Sequence, residues 1–558
     1  MSVPTRANRT HEEAEPDQPR PHIQRRRSHI VRRWLNLTGF VVAAIFYCFS
    51  LTPSLLPRAW FLQGVVSGIT AAMGYAVGAL VPRRLYSRSV TRIGWRIALV
   101  AAPAAGTVFV LLGTRWQKDL RHRLGMAALE NSYTFRMVVI SLATFAVLLL
   151  IARGLRLAVR GLALLLGRVT PEPVAYCAGF VVVLMLAVGF VDTFLMSNLF
   201  AVADRRASVA NAGTDDDVVA PTSSLRSGGP YSLAPWWTLG RQGRDFVGKG
   251  PTKAALARFA GRSALEPIRV YAGLQSAHSV QARARLVVRE MDRTGAFDRS
   301  VVAVFIPTGT GWVDGAVTNS LEYMYAGDTA LVSMQYSYLP SWMSFLTDRT
   351  RVTDASSALI TAVQDRWAAM PAGERPKLLI FGESLGSLGT EKTFGDVQAM
   401  VSGADGILLE GPTFANPIHH ELTGARAPGS PVWNPVYPQQ PVAFAARPAE
   451  LRHRTGAPPK VIYLQNPTDP IVWWSPTLLY KHPAWLDRPR GPDVSPDMHW
   501  FPGITFWQTS VDIVFSNDVP RGHGHQYKSG TVDGWAALAA PPGWTVQDTL
   551  RLRVLLER

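Results

Sequence analysis

Five apolar runs crowd the first 200 residues of this 558-residue chain, and they restrict its fold more than any other feature. They cover about residues 35–51, 61–81, 94–113, 137–151 and 174–195. A helix needs ~20 mostly apolar residues to cross the hydrocarbon core of a bilayer. The runs are near that length, so residues 34–200 are expected to form a membrane domain of about five transmembrane helices. The second run carries Gly64, Gly68, Gly74 and Gly78, and small residues at four-residue spacing let helices approach closely in lipid. A shorter apolar piece at 155–167 carries Arg156 and Arg160 and reads as an interfacial helix.

Charge gives these runs a direction. The formal net charge is +17, and many of the basic residues lie beside the apolar runs, which points to membrane topology before nucleic acid. No basic stripe with interleaved aromatics and no zinc-knuckle spacing occurs, so nucleic acid is not an expected partner. Residues 1–33 are rich in Pro, Glu, Arg and Thr without periodicity and read as a disordered basic cytoplasmic tail. Arg25-Arg26-Arg27 and Arg32-Arg33 precede the first run as they would in a signal peptide. No small-residue cleavage site follows, so a retained membrane helix is expected. With the N-terminus in the cytoplasm, the inner segments hold fifteen Lys and Arg and the outer loops six. Five spans then put the large C-terminal part on the extracytoplasmic side, whereas four or six would reverse it. The two cysteines, Cys48 and Cys177, both fall in apolar runs and offer no disulfide framework for a soluble domain.

Residues 201–265 read as a linker and lead-in segment, with Asp215-Asp216-Asp217 followed by Pro, Ser and Gly. Trp236-Trp237 suits either an interfacial anchor or packing onto the next domain. From residue 266 to 558 short apolar runs alternate with helical stretches, the pattern of a mostly parallel sheet with helices on both faces. Strands are expected at 267–274, 300–307, 329–338, 377–381, 406–410, 460–464 and 505–516, with helices at 280–294 and 355–370.

The strand at 377–381 runs directly into Gly382-Glu383-Ser384-Leu385-Gly386. G-x-S-x-G at a strand-to-helix turn is the pattern of a nucleophile elbow, where a side chain at either glycine would crowd the turn. Acyl transfer by a serine needs a base, an acid that orients the base, and donors for the oxyanion. Asp469 follows the 460–464 strand in a Pro-flanked loop and is the acid candidate, with a turn-initiating role before Pro470 as the plainer reading. Asp487, Asp512 and Asp518 are weaker rivals. The base is sought in Gly522-His523-Gly524-His525, where either histidine qualifies and the flanking glycines favour His523 slightly.

Oxyanion donors are expected from the backbone of Leu385 and from Thr310 and Gly311 in the loop Thr308-Gly309-Thr310-Gly311-Trp312. A phosphate cradle is the alternative for that loop, although neither G-x-G-x-x-G nor a Walker pattern is complete, and no cofactor is expected. Trp312, Trp473 and Trp474, with Trp342 and Trp507 nearby in sequence, would suit an acyl chain. A zinc site joining His523 and His525 to His419-His420 lacks the H-E-x-x-H or carboxylate spacing that would support it, so no metal is expected.

Several stretches together resemble one bacterial membrane-anchored α/β-hydrolase family with a multi-span N-terminal domain. They are Leu51-Thr52-Pro53-Ser54-Leu55-Leu56-Pro57-Arg58, Trp237-Thr238-Leu239-Gly240, Pro267-Ile268-Arg269-Val270-Tyr271, Thr308-Gly309-Thr310-Gly311-Trp312-Val313, Gln335-Tyr336-Ser337-Tyr338-Leu339-Pro340-Ser341-Trp342, the 382–386 elbow and Gly522-His523-Gly524-His525. The resemblance spans about residues 35–555. It implies an α/β-hydrolase fold with Ser384 as nucleophile and supplies no substrate. The expected activity is that of a membrane-anchored serine esterase, lipase or acyltransferase working on a lipid or an acylated envelope component beside the bilayer. The alternative is a non-catalytic envelope transport or assembly protein built on a hydrolase-like domain.

Overall fold

The structure, a computed structural model, describes residues 36–81, 88–339, 343–344, 349–437, 441–452 and 457–557. The expected disordered tail and Trp342 lie outside the described residues.

The N-terminal region is helical: α1 (Leu37–Ser50), α2 (Trp60–Ala79), α3 (Arg88–Arg123), α4 (Tyr133–Leu166) and α5 (Glu172–Gly189). A π-helical turn, Phe190–Met196, joins α5 to α6 (Ser197–Ala212). Among the described residues, four helices, at Trp60–Ala79, Thr91–Arg123, Tyr133–Leu166 and Glu172–Phe194, are long and apolar enough to cross a membrane. The fourteen residues of α1 span about 21 Å at 1.5 Å per residue, short of a ~30 Å core. The piece at 155–167 is no separate interfacial helix, because it continues α4 without a break. Neither Pro nor Gly-Pro punctuation stands at 152–155 to end that helix.

The glycines of α2 divide between two neighbours. A Cβ on Gly74 or Gly78 would meet the backbone carbonyl of Val42 or Thr38 in α1, at 2.7 and 2.5 Å. One on Gly64 or Gly68 would meet Ile140 or Thr144 in α4, at 2.7 and 2.5 Å. The stripe of small residues thus allows α2 to sit between α1 and α4 at backbone contact.

The C-terminal domain is built on seven parallel strands in the order β1-β3-β2-β4-β5-β7-β6. These are β1 (Ile268–Ala272), β2 (Val301–Ile306), β3 (Thr329–Met334), β4 (Lys377–Glu383), β5 (Gly406–Glu410), β6 (Val442–Ala445) and β7 (Val461–Leu464). Nearly every strand residue is buried, as in a sheet covered by helices on both faces. One face packs Val287 and Met291 of α7 (Val280–Thr294), and Leu359 and Val363 of α9 (Thr350–Ala368), against Val304, Val332 and Ile380. The other packs Val317 and Leu321 of α8 (Gly315–Met324) and Trp535 of α12 (Lys528–Ala539) against Phe305 and Phe381.

Two strand assignments change. The expected last strand, 505–516, is instead the helix α11 (Ile504–Val514). Its β-branched and aromatic composition suggests a strand, but its buried positions Ile504, Thr505, Gln508, Thr509 and Asp512 recur with helical period. The short edge strand β6, preceded by Pro441, was not anticipated. The lead-in segment is tied down as well. Arg241 lies 2.6 Å from Asp215, and Arg226 bridges to Arg269 at the free edge of β1. The tryptophan pair splits, with Trp236 packed on the sheet domain and Trp237 exposed.

Candidate active site

The centre of the sheet fixes the position of Ser384. It follows β4, whose neighbours are β2 and β5, and precedes α10 (Leu385–Phe394). Its backbone takes φ +55° and ψ −116°, a conformation an L-residue adopts only where the surrounding structure holds it. The two glycines of the turn are required by close approach. A Cβ on Gly382 would lie 2.5 Å from the Gly386 carbonyl, and one on Gly386 would lie 2.3 Å from the Ile306 carbonyl. This is the geometry of an elbow that presents its serine at the C-terminal edge of the sheet.

Asp469 lies beyond the end of β7, two strands from the elbow. Its Oδ2 is 2.7 Å from Nδ1 of His525 and accepts a hydrogen bond from the Tyr527 hydroxyl at 2.6 Å. Its Oδ1 accepts from the Ile471 amide at 2.8 Å, so the plainer reading as a cap before Pro470 also holds. An ionised carboxylate only accepts, so Nδ1 of His525 carries the proton and Nε2 is left as the basic nitrogen. That Nε2 is buried without a hydrogen-bond partner among the described residues. Ser384 and His525 line the same cavity of about 420 Å³, together with Thr308, Thr310, Trp312 and Glu383.

The two histidines sit in different surroundings. His523 faces Asp493 at 3.0 Å and is partly exposed, whereas His525 is buried against Asp469. Burial alone would lower the imidazole's pKa, but the charge and hydrogen bond of Asp469, with Glu383, more than reverse that and raise it above its ordinary value. The other aspartates lie elsewhere: Asp512 pairs with Arg58 and Asp487 lies near His482. The four histidines of the zinc alternative do not converge. His419 bonds Gln465, and His420 bonds the Phe414 carbonyl.

The oxyanion candidates also sort themselves. Leu385 begins α10, and neither its N–H nor that of Thr310 has a hydrogen-bond partner among the described residues. The N–H of Gly311 is not free, since it donates to the Thr308 carbonyl at 2.8 Å in a tight turn at φ +88°. Tyr271 and Gln335 hold the loop by donating to the carbonyls of Gly311 and Thr310, each at 2.8 Å.

Of the tryptophans, Trp312 lines the cavity and Trp473 and Trp474 do not. Trp473 is buried with its Nε1 donating to the Asn466 carbonyl, and Trp474 donates to Ser510 and packs on Phe414. Both belong to a cluster with Leu55 and Leu56 from the loop between α1 and α2. Tyr527, Glu383 and Glu410 also line the cavity, without a motif to mark them in the sequence. The position of Glu383 beside Ser384 in the elbow was the one available signal. Burial pushes the Glu383 carboxyl up to about 7 although the charge of His525 opposes it, and burial together with the charge of Glu383 raises the Glu410 carboxyl well above its ordinary value.

No curated protein and no solved structure matches the chain. Family comparison does place it. Residues 51–251 match the N-terminal region described as the alpha/beta-hydrolase family N-terminus, and residues 268–552 match the alpha/beta-hydrolase family itself. With its parallel sheet, its elbow at Ser384 and these two matches, the chain belongs to the alpha/beta-hydrolase family.

Proposed function

We propose that the protein is a membrane-anchored serine hydrolase, an esterase, lipase or acyltransferase, that works through an acyl-enzyme on Ser384. The observation that carries this reading is the unpartnered Nε2 of His525, whose Nδ1 is held by Asp469, in the cavity that Ser384 lines. In the reaction the Ser384 hydroxyl attacks an acyl carbonyl while His525 Nε2 takes its proton. Asp469 and Tyr527 keep the imidazole in the required tautomer. The N–H groups of Leu385 and Thr310 serve the developing oxyanion. His525 then gives the proton to the leaving group, and water or an alcohol releases the acyl chain by the same steps reversed.

Four helices of spanning length support anchorage in a bilayer, and with the basic segments inside, the catalytic domain is extracytoplasmic when the shorter α1 crosses as a fifth helix and cytoplasmic when it does not. A lipid or acylated envelope component is the substrate class this anchorage favours. A fluorophosphonate probe is expected to label the wild type and not Ser384→Ala. An unlabelled, folded wild type refutes the serine mechanism and favours a non-catalytic role. Reporters fused after residue 195 and at the C-terminus read the topology.

A further inference from the structure

One carboxyl in the cavity has no task in the reaction described above. Glu383 is 7 % exposed and lines the cavity next to Ser384, yet among the described residues its carboxyl makes no hydrogen bond and no ion pair. Its acidic neighbours are all engaged. Glu410, its register partner across β4 and β5, accepts from Thr531 at 2.7 Å. Asp314 caps α8 through the Ala316 amide at 2.8 Å and faces Lys528 at 3.5 Å. Asp469 holds His525. A nearly buried carboxyl that lines the cavity and meets no protein donor can accept a hydrogen bond from a molecule bound there.

The lining divides by element. Ile471, Ile513 and Val514 supply apolar surface from the segment between β7 and His525, whereas Glu383 and Glu410 stand at the ends of the central strands. Resting on the serine-hydrolase reading, we propose that the alcohol side of the substrate is hydroxyl-rich, and that Glu383 selects it by accepting a hydrogen bond from one of its hydroxyls. A polyol thus serves as leaving group and as acyl acceptor. In transfer, the acceptor oxygen bonds to the acyl carbon and its proton passes to His525 Nε2. The Ser384 ester bond then breaks and the proton returns to the Ser384 oxygen. Glu383 is a specificity residue that holds a second hydroxyl of the same alcohol.

The test is competition between two acceptors for one acyl-enzyme. The full-length protein is acylated with a p-nitrophenyl ester in equal concentrations of glycerol and 1-propanol, and the glyceryl and propyl esters are counted by mass spectrometry. Wild type is expected to favour the glyceryl ester at least about tenfold, since a site that hydrogen-bonds a hydroxyl discriminates against its absence. Glu383→Leu is expected to bring the ratio near parity, and Glu383→Gln, which keeps an acceptor oxygen, to retain part of it. Equal ester yields from wild type, free acid as the sole product, or an unchanged ratio in Glu383→Leu would each overturn the proposal. Absence of any nitrophenol burst would instead sink the serine-hydrolase reading on which it rests.

Discussion

Replacing Asp512 by Asn removes one charge from a pair held almost wholly out of water. The Arg58 and Asp512 side chains are 2 % and 0 % exposed, with Nε and Oδ1 3.0 Å apart. Asp512 Oδ2 also accepts from the amides of Leu55 and Leu56, at 3.1 and 3.3 Å, so one carboxylate fastens residues 55–58 onto α11. Burial raises the Asp512 pKa despite the opposing charge of Arg58, and Arg58 Nη2 has no hydrogen-bond partner among the described residues. Arg58 thus lacks one of the hydrogen bonds that would offset its burial. Breaking the pair should still be costly, because one charge then stays buried alone at about 3–5 kcal/mol.

The expected outcome is a destabilisation of that size in Asp512→Asn and in Arg58→Met. The double variant should be less destabilised than either single one. The carboxamide oxygen that replaces the carboxylate still accepts from Leu55 and Leu56, and no charge remains buried. Hydrogen exchange of the peptide spanning residues 51–58 reads this locally, without needing two-state unfolding of a two-part protein. Each single variant should speed exchange by roughly two orders of magnitude or more, at one order per ~1.4 kcal/mol. Exchange within about threefold of wild type in Asp512→Asn would refute the reasoning. So would single effects that simply add in the double variant, because residues in direct contact should couple.

Further outcomes follow from the surroundings of His525. His525 must be neutral to accept a proton, and its raised pKa means activity on a p-nitrophenyl ester should fall as pH drops through a value above the ordinary 6.5. Asp469→Asn should cut kcat by about 10⁴-fold and move that acid limb downward, since burial then acts on the imidazole without the carboxylate to oppose it; an unmoved limb counts against the pairing. Gly411 sits at φ +53°, and a Cβ there would lie 2.3 Å from Cε1 of His525 and 2.7 Å from its Nδ1. Gly411→Ala should therefore lower kcat/KM by about 100-fold, the scale of a ~1 Å misplacement. Gly424→Ala, whose Cβ meets nothing within 4 Å, should leave it unchanged.

The elements that could be read from sequence are those whose signal is local. The strands β1 to β5 and β7 are runs of buried apolar residues with turn signals at their ends, and the elbow glycines are dictated by contacts within one turn. The edge strand β6 has four residues, too few for a pattern to emerge. Segment α11 reads as a strand in isolation because its surroundings, not its propensity, decide its state. Its buried Gln508 donates to the carbonyls of Ser50 and Thr52, more than 450 positions away in the chain. The choice between His523 and His525 likewise turns on which imidazole meets Asp469, 56 residues earlier for His525, and no local pattern encodes that meeting.

The same distance explains why Trp473 and Trp474 looked like an acyl-chain wall. Lying just after Asp469, they stand near the reacting groups in sequence, but they face the opposite requirement. Trp473, Trp485 and Leu486 form a socket for Leu55, Leu56 and Leu124, which come from the connections between the N-terminal helices. The segment linking Asp469 to His525 therefore has two sides. One side receives the α1–α2 loop through this apolar socket and through Asp512 and Gln508 of α11. The other supplies Ile471, Ile513 and Val514 to the cavity. Ile513 directly follows Asp512 in α11, so a shift of the residue that grips the helical bundle is passed within one peptide unit to the residue that lines the cavity. This adjacency predicts that the Arg58→Met and Asp512→Asn variants change acylation rate along with the stability of the loop, as a comparison of p-nitrophenol burst rates with wild type would show.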